Sequence, residues 1–307
     1  MKPVAWLFPG QGSQKVGMGL DFFNKTGIGK QYFSDAQEIM GFDIKSIIFN
    51  GPEDILRQTE YTQPAIYIIS VIIGQLLIEN GFKPSALAGH SLGEYSALTL
   101  AGAFDFNTGL KLVKLRSTSM AKSGLTNKGT MAAIVGLDDN KVESICHSYK
   151  GDGIVVPANY NSPGQIVISG SVNAVYWAMD IAKNSGAKIT KELNVSGAFH
   201  SPLMKPAVEN LAATLYSIEI SDLSYPIFTN FDAKPKTKGS DIRDLLICQL
   251  ENPVLWSQSI LAIKNTGIES FLEVGPGKVL SGLNKRIDRS LYSNNIETVD
   301  QLENFFV

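Results

Sequence analysis

The sequence predicts an α/β protein in which a large domain carries a smaller α/β domain as an insert. Three observations carry this. Strand-like runs alternate with longer helical patterns in the first third of the chain, and mixed helix and strand returns in the last third. Between them, over residues 127–196, the order becomes β-α-β-β-α-β. The length, 307 residues, suits one large domain with a smaller insert.

The elements follow in order. Val4–Phe8 reads as a strand that breaks at "PGQGSQ". Helical patterns run from there to about Ile78, with interruptions at "NGPED" and "YTQP". The uncharged apolar run from Ala65 to Ile78 falls short of the ~20 residues a membrane span needs, so it reads as a fully buried helix. "PSALAGH" is a short strand of small residues, and a helix runs from Gly93 to about Ala101. Asp105 is placed as the N-cap of the next helix, which ends near "KSG". "GTMAAIVGL" is then a strand and "DDNKVESICHSYK" a helix. "GIVVPANYNSPGQIVISG" reads as two strands around a turn, "SVNAVYWAMDIAKNSG" as a helix and "KITKELNVSG" as a strand. This split-βαβ order makes residues 127–196 a ferredoxin-like domain, leaving 1–126 and 197–307 for the large one. "YPIFTN" and "ESFLEVG" supply further strands there.

Composition narrows the function classes. Apolar residues make up 44% and charged residues 18%, which favours a sizeable core over disorder. A net charge of −2 argues against a protein that neutralises many phosphates, so no nucleic-acid partner is expected. The two cysteines, Cys146 and Cys248, stand far apart in no metal-like spacing, which suits a reducing compartment and no metal site. The first apolar run is too short for a signal sequence. The expectation is a soluble cytoplasmic protein with no membrane partner.

Gly89-His90-Ser91-Leu92-Gly93 is a Gly-x-Ser-x-Gly pentapeptide between a strand and a helix. That is the setting of a nucleophile elbow, where small flanks let strand and helix approach and the helix N-terminus faces the serine. Glu94, in the first helical turn, fits the same dipole. An active serine needs a base, and the chain has three histidines. His90 adjoins Ser91 and does not readily curl back to it; His147 reads as a surface or capping residue. His200 follows the last strand of the small domain, where the chain re-enters the large one and clefts form. No acid stands in a distinctive motif, so a Ser–His dyad oriented by a backbone carbonyl is open.

In the helix from Phe106 to Met120, Lys111 and Lys114 fall on one side. Arg116 falls between Leu112 and Val113, close to Met120, on the apolar face. An inward arginine needs a partner: a structural Asp or Glu, or a substrate carboxylate held by the guanidinium fork.

Together these motifs resemble the malonyl-CoA:acyl carrier protein transacylases and the acyltransferase domains of polyketide synthases. The matching pieces are "FPGQGSQ" at 8–14, "TQPA" at 62–65, "GHSLGEYSAL" at 89–98 and "LVKLR" at 112–116. They continue with "NYNSPGQIVISG" at 159–170, "GAFHSPLM" at 197–204, "TNFDAKP" at 229–235, "QLENPVLW" at 249–256 and "EVGPGKVL" at 273–280.

The resemblance implies an α/β-hydrolase-like large domain and a transfer of malonyl from malonyl-CoA to the phosphopantetheine thiol of an acyl carrier protein. It implies Ser91 as the acyl-carrying nucleophile and His200 as its base, oriented by the main-chain carbonyl of Gln249. It further implies an oxyanion hole from the N–H groups of Gln11 and Leu92, and Arg116 on the malonyl carboxylate. Leu92 and Phe199 go with malonyl rather than methylmalonyl, a phenylalanine leaving less room beside the α-carbon than a serine. No cofactor of the enzyme's own is implied, and a monomer is the default. Carrier proteins of this kind are acidic, so Lys278, Lys285, Arg286 and Arg289, or Lys183, Lys188 and Lys191, are candidates for a docking patch or an ordinary solvated surface.

Three rival functions fit less of the sequence. A serine hydrolase leaves Arg116 and "GQGSQ" unexplained. A nucleotide-binding loop at "GQGSQ" lacks the third glycine and the Gly-Lys-Ser/Thr such loops use. A decayed scaffold sits poorly with Ser91, His200 and Arg116 all present.

Overall fold

The computed structural model describes residues 2–306. Its strands are β1 (Val4–Phe8), β2 (Ala86–Gly89), β3 (Gly129–Val135), β4 (Val155–Ser162), β5 (Gln165–Ser171), β6 (Ile189–Glu192), β7 (Ile227–Phe228), β8 (Pro235–Lys236), β9 (Ser270–Val274) and β10 (Tyr292–Ile296). They form two sheets in a mixed α/β protein. The first has the order β10-β9-β1-β2-β7-β8, parallel except for the β7–β8 pair. The second has the order β4-β5-β3-β6 and is antiparallel throughout.

β1 shows why a parallel sheet reads as a near-continuous apolar run. Trp6 and Phe8 face one layer of helices, Ala5 and Leu7 the other, and all four are 0% exposed. The small sheet alternates in the same way. Ala132 and Ile134 pack with the helices Asp139–Ser148 and Val172–Asn184, whereas Met131, Ala133 and Val167 join the main core. The small sheet is thus covered on both faces, one of them by the rest of the protein.

Three details differ from the sequence reading. "YTQP" does not interrupt: the helix Thr59–Glu79 runs through Pro64, giving up one helical hydrogen bond to the Glu60 carbonyl, and burial of most of its length in the core holds it together. This helix is long and apolar enough to cross a membrane, yet it is mostly buried within the protein, as a core helix is. The helix Phe106–Thr126 runs past "KSG", because Gly124 is a contact residue and not a stop: a Cβ there would lie 2.1 Å from the Ser196 carbonyl oxygen. "KITKELNVSG" is a strand only over β6; residues 193–196 leave the sheet and run toward the serine turn.

Candidate active site

The serine turn is built by steric exclusion. β2 ends at Gly89 and the helix Gly93–Leu100 begins four residues later. A Cβ on Gly89 would lie 1.9 Å from the Gly93 carbonyl carbon, and one on Gly93 would lie 2.0 Å from the Phe8 carbonyl oxygen. Only glycine fits either place. Between them Ser91 adopts φ 51°, a left-handed conformation that a non-glycine residue holds only when its surroundings enforce it. Asn230 enforces it here: its Oδ1 accepts from the Ser91 N–H at 2.7 Å, and its Nδ2 donates to the Gly89 carbonyl at 2.5 Å.

His200 also has positive φ, 57°, and is 3% exposed. Its Nε2 lies 2.7 Å from Ser91 Oγ. Its Nδ1 faces two carbonyl oxygens, of Gln249 at 2.9 Å and Asn252 at 3.2 Å. Two acceptors fix the proton on Nδ1 and leave the Nε2 lone pair for the serine hydroxyl. Burial first, then the Arg116 charge, lowers the His200 pKa to about 3, so the ring is neutral at neutral pH.

Arg116 is 0% exposed, on the inward face the helical periodicity gives it. No carboxylate pairs with it among the described residues. Its Nη1 donates to Gln63 Oε1 at 2.6 Å, and its Nη2 to Gln249 Oε1 and to Ser91 Oγ, both at 2.9 Å. The guanidinium lies 5.5 Å from the Tyr95 ring centre, and its Nε is buried without a partner. A full positive charge thus stands in hydrogen-bond contact with the serine oxygen, held by two glutamine amides and the Tyr95 ring, with no carboxylate in contact among the described residues.

These groups open on a cavity of about 110 Å³. Gln11, Leu92, Ser91, His200 and Arg116 line one part; Met120, Met131, Leu193, Val195 and Phe199 line an apolar part. The backbone N–H groups of Gln11 and Leu92 are used in no backbone pairing among the described residues. The structure therefore brings Ser91, His200, Arg116, Gln11, Leu92 and Phe199 to one cavity, with Gln249 behind it. The other histidines lie elsewhere: His90 Nε2 meets Asn161 Oδ1 at 2.8 Å, and His147 is exposed, bonded to the Glu143 carbonyl. The seven candidate docking cations are all exposed.

Comparison with known proteins agrees. Residues 5–299 match the acyl transferase domain family. This chain belongs to that acyltransferase family. It is 41% identical, over the full length of both chains, to the malonyl CoA-acyl carrier protein transacylase of Haemophilus influenzae. It is 43% identical to the protein of that name from Escherichia coli, covering 94% of this chain and 93% of the other. It also superposes with a TM-score of 0.95 and 40% identity on a structure of a type II polyketide-synthase acyl-carrier protein in complex with its malonyl-transacylase, each chain covered to 98%.

Sequence reasoning missed the amides around this acyltransferase site. Gln63 and the Gln249 side chain hold Arg116, and Asn230 holds the Ser91 backbone. Asn252 serves through its main-chain carbonyl on His200, its side chain bonding the Cys248 carbonyl. Glu94, expected only as a helix-dipole partner, accepts from Gln249 and the Asn230 N–H. Burial moves the Glu94 pKa up to about 7, against the Gln249 hydrogen bond that favours its charged form. The available signal was position: Gln63, Asn230, Gln249 and Asn252 all fall inside the motif strings at 62–65, 229–235 and 249–256.

Proposed function

We propose that this acyltransferase moves a malonyl group from malonyl-CoA to the phosphopantetheine thiol of an acyl carrier protein, for fatty-acid or polyketide synthesis, by a ping-pong route through a malonyl ester on Ser91. The observation that carries this reading is Arg116: a buried cation without a carboxylate partner, 2.9 Å from the oxygen of a serine that also contacts a neutral histidine. The malonyl carboxylate lies two carbon–carbon bonds from the carbonyl that Ser91 attacks, so one short acyl group spans both residues. A neutral acyl group leaves the charge unanswered.

In the first half-reaction His200 Nε2 takes the Ser91 proton as Oγ attacks the thioester carbon. The N–H groups of Gln11 and Leu92 receive the negative charge that develops on the carbonyl oxygen. The C–S bond breaks, and His200 returns the proton to the departing CoA sulfur. Arg116 keeps the carboxylate, its Nη2 freed from the Oγ that has become an ester oxygen. In the second half-reaction the carrier thiol gives its proton to His200, attacks the ester, and Ser91 leaves with that proton. Phe199 limits the room beside the α-carbon. The chemistry uses no cofactor of the enzyme's own; phosphopantetheine arrives on the partner.

The strand order β4-β5-β3-β6 supports reading residues 127–196 as a ferredoxin-like domain, and the parallel sheet with its elbow supports an α/β-hydrolase-like domain over 1–126 and 197–307. A cytoplasmic monomer that docks its carrier through exposed lysines and arginines completes the proposal.

Mass spectrometry of the protein after malonyl-CoA treatment, with and without carrier protein, tests it. A malonyl adduct on Ser91 that persists alone and passes to the carrier is the expected result. Rapid release of free malonate with no carrier present would identify a hydrolase instead.

A further inference from the structure

The function proposed above uses Arg116 but leaves open what holds a buried cation in place without consuming it. A direct Asp or Glu partner would satisfy the guanidinium fork and compete with the substrate carboxylate. The chain avoids this with an amide spacer. Glu94, 1% exposed, sits one turn from Ser91, and its Oε2 accepts from Gln249 Nε2 at 2.8 Å and from the Asn230 N–H at 3.1 Å. Gln249 Nε2 also donates to the Ser91 carbonyl at 3.0 Å, while Gln249 Oε1 accepts from Arg116.

An amide has one donating and one accepting end. With a carboxylate and a carbonyl on one side and a guanidinium on the other, only one orientation of Gln249 avoids like poles in contact. The carboxylate is what makes the reversed orientation costly.

We propose that Glu94 is a positioning residue for malonyl selection: it fixes the Gln249 amide so that its oxygen faces Arg116, which holds the guanidinium beside Ser91 while leaving it free to take the substrate carboxylate. The inference rests on Arg116 being the carboxylate clamp. It differs from a helix-capping role because Glu94 Oε2 bonds to groups outside its own helix.

The test compares two acylations of Ser91. Malonyl-CoA uses the dyad, the oxyanion hole and the carboxylate contact of Arg116, whereas an uncharged alkyl fluorophosphonate, which loses fluoride as Oγ bonds to phosphorus, offers Arg116 no carboxylate. In Glu94→Met and in Gln249→Met, malonyl acylation falls about tenfold to hundredfold relative to fluorophosphonate labelling, the scale of one lost hydrogen bond to a charged group. In the double variant it falls no further than in the worse single one, since both changes cut one link. Glu94→Gln, which keeps an acceptor oxygen but not the charge, holds the ratio between wild type and Glu94→Met. Unchanged ratios in the Met variants, or additive losses in the double one, overturn the proposal. Should Glu94→Met fail to fold, Glu94→Ala takes its place in the same comparison and against the same outcomes. A wild-type protein that takes no malonyl onto Ser91 would defeat the functional reading itself, a result distinct from an unchanged ratio.

Discussion

At the scale of single residues, the site is a set of charges deliberately left without ionic partners. Arg116 is the sharpest case, and its helical phase made it legible in the sequence as an inward residue. Its partners Gln63 and Gln249 were not legible, because glutamine carries no periodic signature and takes its meaning from what it faces. Replacing Arg116 by Ala should abolish most malonyl acylation of Ser91 and spare or raise acetyl acylation from acetyl-CoA; a retained malonyl preference would refute the clamp. The two buried titratable groups make a second prediction. His200 titrates near 6.5 when unfolded and at about 3 when folded, so between these values the unfolded chain binds the extra proton and stability falls as pH falls. Glu94 runs the other way, from 4.5 unfolded to about 7 folded, so its contribution is full at low pH and is lost as pH rises through 7. Arg116 and Asp232 act on Glu94, and Arg116 and His90 on His200, and these neighbours remain in a Glu94→Gln variant. That variant loses only the Glu94 contribution. Its thermal midpoint should therefore climb more steeply than wild type between pH 4.5 and 7; parallel curves would show that Glu94 does not titrate in this range.

At the scale of elements, the elbow is the part the sequence specified most fully. Strand, small flanks, serine and helix start are contiguous, so local sterics alone dictate the turn. Gly93→Ala would drive a Cβ against the Phe8 carbonyl, a backbone atom of the adjacent strand that cannot yield without parting β1 from β2. We expect a loss of about 3 kcal/mol or more in denaturant unfolding, together with loss of acylation. A stable and active variant would mean that the strand and helix have room the geometry denies. Pro64 and Gly124 were misread for one reason. Both residue types punctuate chains on average, but here one is carried by a helix buried over most of its length and the other is needed for a close backbone approach, which only the tertiary partner reveals. The short β6 has a similar cause, since its continuation is drawn off to line the cavity.

At the scale of the whole molecule, the β-α-β-β-α-β order was readable, but the way the two sheets meet was not, because it depends on contacts between residues about a hundred positions apart. β4 joins the segment that carries the His200 acceptors: the Tyr160 N–H donates to the Val254 carbonyl and the Val254 N–H to the Ala158 carbonyl, both at 2.9 Å. Asn161, on the same strand, reaches His90 beside the nucleophile, whose ring packs on Trp256 at 5.4 Å. The small sheet is therefore tied both to the turn that holds Ser91 and to the loop that orients His200. Asn161→Ala leaves the His90 ring nitrogen without its partner, at a cost of about 1–3 kcal/mol. If the junction works as described, the denaturation midpoint falls while the transition stays single, and Ser91 acylation is lost along the same curve as far-ultraviolet dichroism. Acylation lost well before the secondary structure would instead mean that the small sheet detaches as an independent unit, and that the contacts around His90 hold the site but not the fold.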